Sequence, residues 1–306
     1  MNAVSVRSYN ERLVLSLLLQ NKGMSRMDIG KRTGLSAQTV SVIVRSLAQE
    51  GLVAKGEAQR GRMGPPTIPL SLNPEGAYAV GISLGHRQMD VALIDFVGDV
   101  KFHTSMPLPS NDAISNHSEL VETVRQAMAS LPGQQNGPIA GVGLAIPEDR
   151  DELALGPDGM AERFETIRQE IETALAVEVY VQNDVTAAAA GESMFGAAKS
   201  LDDYLFFYLG ARLHHRLVLN HQIFQSPNQT SKPIGLIELE SRLQGKGLPS
   251  EELWLRGGQW PDFGDVKQMW INDCLAVLSN AVGSASQFLP VKTVIISSYA
   301  PKRVCD

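Results

Sequence analysis

Apolar residues recur at helical spacing through the first fifty positions and at strand spacing for much of the remainder. Within residues 11–20, Leu13, Leu17 and Gln20 share one side with Val14 and Leu18 beside them, a stripe that predicts an amphipathic helix ending at Asn21-Lys22-Gly23. Ser25 and Asp28 form an S-x-x-D capping pattern for a short second helix, which stops at Gly34 because a left-handed residue there carries no Cβ penalty. Ser36 caps a third helix whose inward stripe is Val40, Ile43, Val44 and Leu47, with Gly51 just past its end. Two helices joined by a tight glycine turn predict a helix-turn-helix. Residues 52–55 and 67–72 read as short strands flanking Gln59-Arg60-Gly61-Arg62-Met63-Gly64-Pro65-Pro66, which makes that segment a wing.

From Tyr78 the period falls to two. Strands are expected at 78–84, 89–95 and 100–106, the last two joined by the turn Val97-Gly98-Asp99. A helix at 118–131 follows, with Leu120, Val124, Ala127, Met128 and Leu131 on its apolar side, then a strand at 138–146, a helix at 160–175, a strand at 177–182 and an alanine-rich helix at 185–195. A second series places strands at 204–209, 212–219 and 222–224, helices at 249–255 and 266–289, and a strand at 293–297. The order βββαβαβα is thus repeated as βββαβ and then stops. Such a doubled order resembles the α/β, duplicated ribonuclease-H-like body of the actin and sugar kinase superfamily, with a ligand cleft between lobes.

Composition narrows the function classes. With 306 residues, 43% apolar and 20% charged, the chain is of ordinary globular make-up, and at roughly 100–200 residues per domain it divides into two or three. The longest nearly pure apolar run, 13–19, is broken by Ser16 and falls well short of the roughly 20 residues that span a bilayer. No secretory signal is read at the N-terminus, and the cytoplasm is the expected location. Two cysteines, Cys274 and Cys305, cannot build a disulfide framework. The adjacent pair His214-His215 would face opposite sides of a strand, so no metal site is expected.

Charge is unevenly divided. Residues 1–72 hold ten Lys/Arg against four acids, net +6, while the remainder holds seventeen against twenty-nine, net −12. A basic head on an acidic body predicts that only the head meets a polyanion. On the outward face of the third helix stand Ser36, Ala37, Gln38, Thr39, Ser41, Val42 and Arg45, small or hydrogen-bonding side chains of the kind that enter a major groove, where Gln pairs with adenine and Arg with guanine or phosphate. Arg60 and Arg62, on the glycine-rich wing tip, are candidates for minor-groove or phosphate contacts. A solvated three-helix protein-binding module is the plainer reading of the same face.

With both halves in view, residues 8–300 resemble the ROK family (repressors, open reading frames and kinases), specifically its winged-helix transcriptional regulators. The resemblance rests on the wing Arg60-Gly61-Arg62-Met63-Gly64-Pro65-Pro66 followed by Leu70-Ser71-Leu72-Asn73-Pro74, on Gly81-Ile82-Ser83-Leu84-Gly85, which is similar to the first phosphate strand, and on Gln182-Asn183-Asp184-Val185-Thr186-Ala187-Ala188-Ala189-Ala190-Gly191-Glu192, which is similar to an N-D-A-N-A-A-A-x-G-E element. It implies a winged helix-turn-helix over 1–74, a first ribonuclease-H-like lobe over 75–198, and a second over 199–306 that stops short of its last strand and helices.

In the family's kinases the first phosphate strand reads D-x-G-G-T; here Ser83, His86 and Arg87 stand at the Asp, second Gly and Thr positions. The second phosphate loop, G-T-G-x-G-x-G, aligns with Gly210-Ala211-Arg212-Leu213-His214-His215-Arg216, where bulky side chains replace glycines needed for close backbone approach. Because phosphoryl transfer depends on positioned phosphates and metal, the resemblance implies a regulator without catalytic activity or cofactor. Asp184 matches the kinases' general base, Asn183 a sugar-binding residue, and Gly143 lies in the interlobe strand Gly141-Val142-Gly143-Leu144-Ala145-Ile146-Pro147; these three are the candidate ligand residues. Taken alone, Asp184 reads equally well as a helix cap and Gly143 as part of a plain buried strand. The family's G-E-x-G-H element aligns with Lys232-Pro233-Ile234-Gly235-Leu236-Ile237-Glu238, which lacks both its Glu and its His, so zinc is not carried over. Trp254, Trp260 and Trp270, with Arg256-Gly257-Gly258, read as packing anchors.

The expected function is a DNA-binding transcriptional regulator, a repressor of carbohydrate-related genes, binding a double-stranded operator as a homodimer or higher homo-oligomer and answering to a sugar or sugar-derived effector. A sugar kinase with a remodelled nucleotide site and a ligand-independent DNA binder are the competing classes.

Overall fold

The computed structural model describes residues 3–58, 67–107, 117–131, 138–148, 156–225, 233–254, 260–289, 291–301 and 304. The wing tip with Arg60 and Arg62, the Arg256-Gly257-Gly258 stretch and Cys305 lie outside the described residues. No described helix is long and apolar enough to cross a membrane.

The head comprises α1 (Ala3–Gln20), α2 (Arg26–Thr33), α3 (Ala37–Gln49), β1 (Val53–Lys55) and β2 (Leu70–Leu72), with β1 and β2 antiparallel and Val53 opposite Leu72. Its caps follow from short polar side chains. Ser25 Oγ accepts the Asp28 N–H at 3.1 Å while Asp28 Oδ2 accepts the Ser25 N–H at 3.2 Å, and Gly34 closes α2 at φ 71°. Val40, Ile43, Val44 and Leu47 of α3 pack with Val14, Leu18, Ile29 and Leu70 to form the head's core. Helix α1 departs from expectation in beginning at Ala3 rather than Glu11, and in burying Val14 and Leu18 more deeply than Leu13 and Leu17. The reason is that α1 has two apolar neighbours: Leu15 and Leu19 turn towards the body, lining a groove with Phe96 and Phe195. One wide stripe therefore serves two contacts, which blurs the period.

The first lobe contains β3 (Tyr78–Leu84), β4 (Gln88–Asp95), β5 (Val100–Pro107), α4 (His117–Ala129), β6 (Ile139–Ile146), α5 (Gly156–Leu175), β7 (Val179–Asn183) and α6 (Asp184–Met194). Its sheet runs β5-β4-β3-β6-β7, antiparallel across β5-β4-β3 and parallel across β3-β6-β7. Hairpins make the antiparallel half, and the crossovers through α4 and α5 make the parallel half. Leu120, Val124, Phe164, Ile167 and Ile171 of those helices bury the inner side of the sheet.

The second lobe contains β8 (Tyr204–Leu209), β9 (Leu213–Leu219), β10 (Gln222–Phe224), α7 (Leu236–Gln244), α8 (Gly264–Ser286) and β11 (Val294–Ser298). Its sheet, β10-β9-β8-β11, repeats the first four positions of the first with the same strand directions. Among the described residues no strand takes the place beside β11 that β7 takes beside β6. Strand β8 is buried on both faces: Leu205, Phe207 and Leu209 meet the cluster of α7 and α8, while Tyr204, Phe206 and Tyr208 meet Val185 and Ala189 of α6. Helix α6 thus lies between the lobes, and its small residues Ala187, Ala190 and Gly191 line a groove together with Gly81, Gly143 and Ala145 of the first sheet.

Two elements of the second lobe differ from expectation. Residues 236–244, read only as the counterpart of a site motif, form α7 with Leu236, Leu239 and Leu243 inward. Where a helix is expected from 249, the described residues up to Trp254 make a 3-10 turn at Glu251–Trp254. Gly235 explains the tight start of α7: a Cβ there would lie 2.3 Å from the Ala211 carbonyl oxygen, and the Leu236 and Ile237 N–H groups donate to Gly210 and Ala211 carbonyls at 3.0 and 3.2 Å. A backbone loop satisfies the donors that a side-chain cap would otherwise take.

Candidate functional site

The first candidate surface is the outer face of α3. Ser36, Ala37, Gln38, Val42 and Arg45 are exposed and Thr39 and Ser41 half-buried. Ser36 Oγ accepts the Thr39 N–H at 3.1 Å and lies 2.8 Å from Thr39 Oγ1, so the helix start is fixed by its own side chains. Val42 is 58% exposed, an apolar side chain in the middle of a polar face. With Gln38 one turn before it, the face offers an amide for adenine and a methyl pair for thymine, at a helix N-terminus whose dipole favours phosphate.

The second candidate site is the cleft between the lobes. Gly85, His86, Arg87 and Gln88 from the β3–β4 turn, Pro147 and Glu148 after β6, and Asp184 at the start of α6 face Tyr208, Ala211, Arg212, His214, Trp254 and Tyr299 from the second lobe. Asp184 Oδ1 accepts the Glu148 N–H at 3.0 Å and the Val185 N–H at 2.9 Å. Burial raises its carboxyl to about 6, against the pull of the Glu148 N–H and of His214. The helix cap is Asn183, not Asp184: Asn183 Oδ1 accepts the Thr186 N–H at 2.7 Å. That leaves the Asp184 carboxyl directed at the end of β6, where it ties two loops of the first lobe together.

Behind this wall Arg216 is wholly buried. Its Nε donates to Thr186 Oγ1 at 2.9 Å, its Nη1 to the His215 carbonyl at 2.8 Å and its Nη2 to Asn183 Oδ1 at 3.0 Å, and Nη2 also pairs with the Glu148 carboxylate. The Glu148 carboxylate further lies 4.0 Å from His214 Nδ1 and accepts from Gln225 Nε2 at 3.3 Å. Arg216 was legible only as a lost glycine; its role as the bridge between lobes needed the fold.

Gly143 is placed elsewhere. It sits inside β6 between Gly81 and Tyr180, on a groove of the first sheet that also includes Ala145, Ala187 and Gly191, and does not line the cleft. His214 and His215 do face opposite sides of β9, His214 into the cleft and His215 against Phe207. Trp260 and Trp270 are packing residues at a ring separation of 5.9 Å, but Trp254, read the same way from sequence, lines the cleft and meets the His86 ring at 4.9 Å with the planes tilted by 40°. Burial, then the Arg87 charge, lowers the His86 pKa, so its ring is neutral at pH 7. A magnesium nucleotide does not fit these residues. The first strand and turn offer Ser83, His86 and Arg87 where a carboxylate, open backbone and a hydroxyl would be needed, and Arg212 and His214 occupy the second.

A winged helix-turn-helix joined to a duplicated, kinase-like body defines the class of the molecule. Residues 79–242 match the ROK family and residues 8–62 the MarR family. The chain belongs to the ROK family. It is 25% identical over 240 residues to the xylose repressor of Bacillus subtilis (strain 168), an alignment covering 77% of this chain and 62% of that protein. Over 243 residues it is 23% identical to the DNA-binding transcriptional dual regulator NagC of Escherichia coli (strain K12), with 78% and 59% covered. The chain therefore spans about three-fifths of the length of these curated relatives. Among solved structures, it is similar to a ROK family transcriptional regulator, a homolog of the E. coli MLC protein, with TM-score 0.56, 19% identity and coverage of 80% of this chain and 69% of that one. A ROK hexokinase from Thermus thermophilus gives 0.51, 18%, 74% and 85%. At these identities the likeness is one of fold, and it spans regulators and kinases alike.

Proposed function

We propose that the chain is a DNA-binding transcriptional regulator, a cytoplasmic repressor of carbohydrate-related genes, whose head reads an operator and whose interlobe cleft senses a sugar or sugar-derived effector without phosphorylating it. The observation that carries this reading is the outward row Gln38, Val42 and Arg45 on a well-capped α3, joined to a body whose two phosphate turns are filled by side chains. The relatives with regulator names support it.

In this reading 1–74 is the DNA-binding unit, with Arg60 and Arg62 contacting the minor groove or phosphates, and 75–198 and 199–306 are the sensor lobes. Asp184 stands at the effector site in the cleft, with Asn183 behind it on Arg216. Coupling to the head runs through apolar contact: Phe96 and Val97 of the β4–β5 turn pack on the head's core, and the Phe96 N–H donates to the Pro74 carbonyl at 3.0 Å. A change of lobe angle therefore moves the head, provided the effector binds one lobe arrangement more tightly than the other. Two-fold pairing of chains sets recognition helices about one helical turn of DNA apart.

Footprinting on DNA upstream of the chain's own gene tests this reading. Two protected half-sites about one turn (roughly 34 Å) apart are expected, and Gln38→Ala should shift their protection to higher protein concentration. Uniform, sequence-blind protection contradicts the reading, as does sugar-dependent ATP turnover by the pure chain, which would make it a kinase.

A further inference from the structure

The cleft carries more hydrogen-bond donors than its own acceptors satisfy. Trp254 is 6% exposed, and its indole N–H is buried without an acceptor; the same is true of the Arg87 Nε–H, although Arg87 Nη2 pairs with Glu240 at 3.0 Å. Both residues line the cleft, together with Arg212 and the neutral ring of His86. A buried donor without a partner is a standing cost that an incoming acceptor removes. The same cleft is lined by the Asp184 and Glu148 carboxyls, which accept from hydroxyl groups. The cleft thus offers donors for an oxyanion and acceptors for polyol hydroxyls.

Size agrees with that division. The cavity is about 40 Å³, space for about three water-sized groups at roughly 10–15 Å³ each. That admits a carboxylate or phosphate head but not a whole sugar ring, so the ring must enter as the lobes part. Resting on the reading of this cleft as the effector site, we propose that the effector is an acidic sugar, whose oxyanion is held by Trp254, Arg87 and Arg212 and whose hydroxyls face Asp184 and Glu148. Side chains here supply the donors that glycine-rich backbone would supply to a nucleotide, and the bound group becomes the signal rather than a reactant. Arg212, planar and always charged, suits bidentate capture.

The test uses the full chain with 15N-labelled tryptophan indoles, titrated with D-glucuronate, D-glucose 6-phosphate and D-glucose, with Trp254→Phe assigning its resonance. At least one acidic sugar should shift the Trp254 indole N–H signal and bind at least about tenfold more tightly than glucose, a factor that isothermal titration calorimetry also reads. The glucuronate and 6-phosphate arms separate carboxylate from phosphate. Arg212→Gln should remove that preference while Arg212→Lys keeps part of it. Glucose binding as tightly as both acids, or a Trp254 signal that none of them moves, overturns the proposal. Either result with operator specificity intact leaves the regulator reading standing; loss of operator specificity with acidic-sugar binding intact does the reverse.

Discussion

Arg216 Nη2, buried on β9 of the second lobe, donates to Asn183 Oδ1 at 3.0 Å, at the cap of the helix that the first lobe sends between the two sheets. The same oxygen accepts the Thr186 N–H, so one side chain both starts α6 and receives the neighbouring lobe's cation. The pairing of Arg216 with Glu148 completes the bridge. The lobes are therefore joined through charge-assisted hydrogen bonds behind the cleft wall that Asp184 and Glu148 form.

Breaking this bridge from one side should be costly. Arg216→Met leaves Glu148, 15% exposed, without its cation, and a loss of about 3–5 kcal/mol is expected in urea unfolding. Adding Glu148→Gln should recover a large part of that loss, because the uncompensated charge is then gone. A double variant no more stable than Arg216→Met would show that packing, not charge, is what Arg216 supplies.

Asp184 should make stability fall with pH. Its carboxyl is raised from 3.8 to about 6, chiefly by burial, so between those values the folded chain keeps a proton that the unfolded chain releases. The stabilising contribution is complete below about pH 4 and is lost as pH rises through about 6. Asp184→Asn keeps an oxygen for the Glu148 and Val185 N–H groups and should flatten this decline, by at most about 3 kcal/mol between pH 4 and 7. Denaturant titrations of both proteins across that range check it, and identical slopes would count against the assignment.

On α3, Gln38 and Arg45 should behave differently. Gln38→Ala is expected to cost about 1–3 kcal/mol on specific DNA and little on scrambled DNA, as a base contact does. Arg45→Ala should weaken both DNAs alike and lower the salt slope by about 1, as a phosphate contact does. Fluorescence anisotropy over a salt series separates the two patterns.

Ser25→Ala removes the oxygen that receives the Asp28 N–H and should lower stability by about 1 kcal/mol. Thermal unfolding of the head reads this loss. Ser25 is buried away from the α3 face, so operator affinity at temperatures where the head stays folded should be unchanged.

The head was largely legible from residue order, because its signals are local: Ser25 with Asp28, Gly34, Ser36 and the stripe from Val40 to Leu47 each act within one or two turns. The doubled strand order was legible for the same reason. What escaped is what only distant residues decide. Helix α1 hid its extent by burying two faces, and α7 lay under a motif alignment although Leu236, Leu239 and Leu243 carry its period. In the cleft, Asp184 was found through its family position, but Trp254 and Arg216 matter through partners that lie far away in the chain, His86 and Glu148. Asn183 and Asp184 exchanged structural roles by a single residue, a shift that capping propensity alone does not resolve because both types cap well.

The most direct test of the account is the ratio of affinities of the full chain for DNA from upstream of its own gene and for scrambled DNA of equal length, at physiological salt, with and without sugars. A regulator built as described should prefer the upstream DNA by about 10³ or more, and one sugar or sugar acid should release it. Equal, weak binding to both DNAs, unmoved by any sugar, would contradict the account.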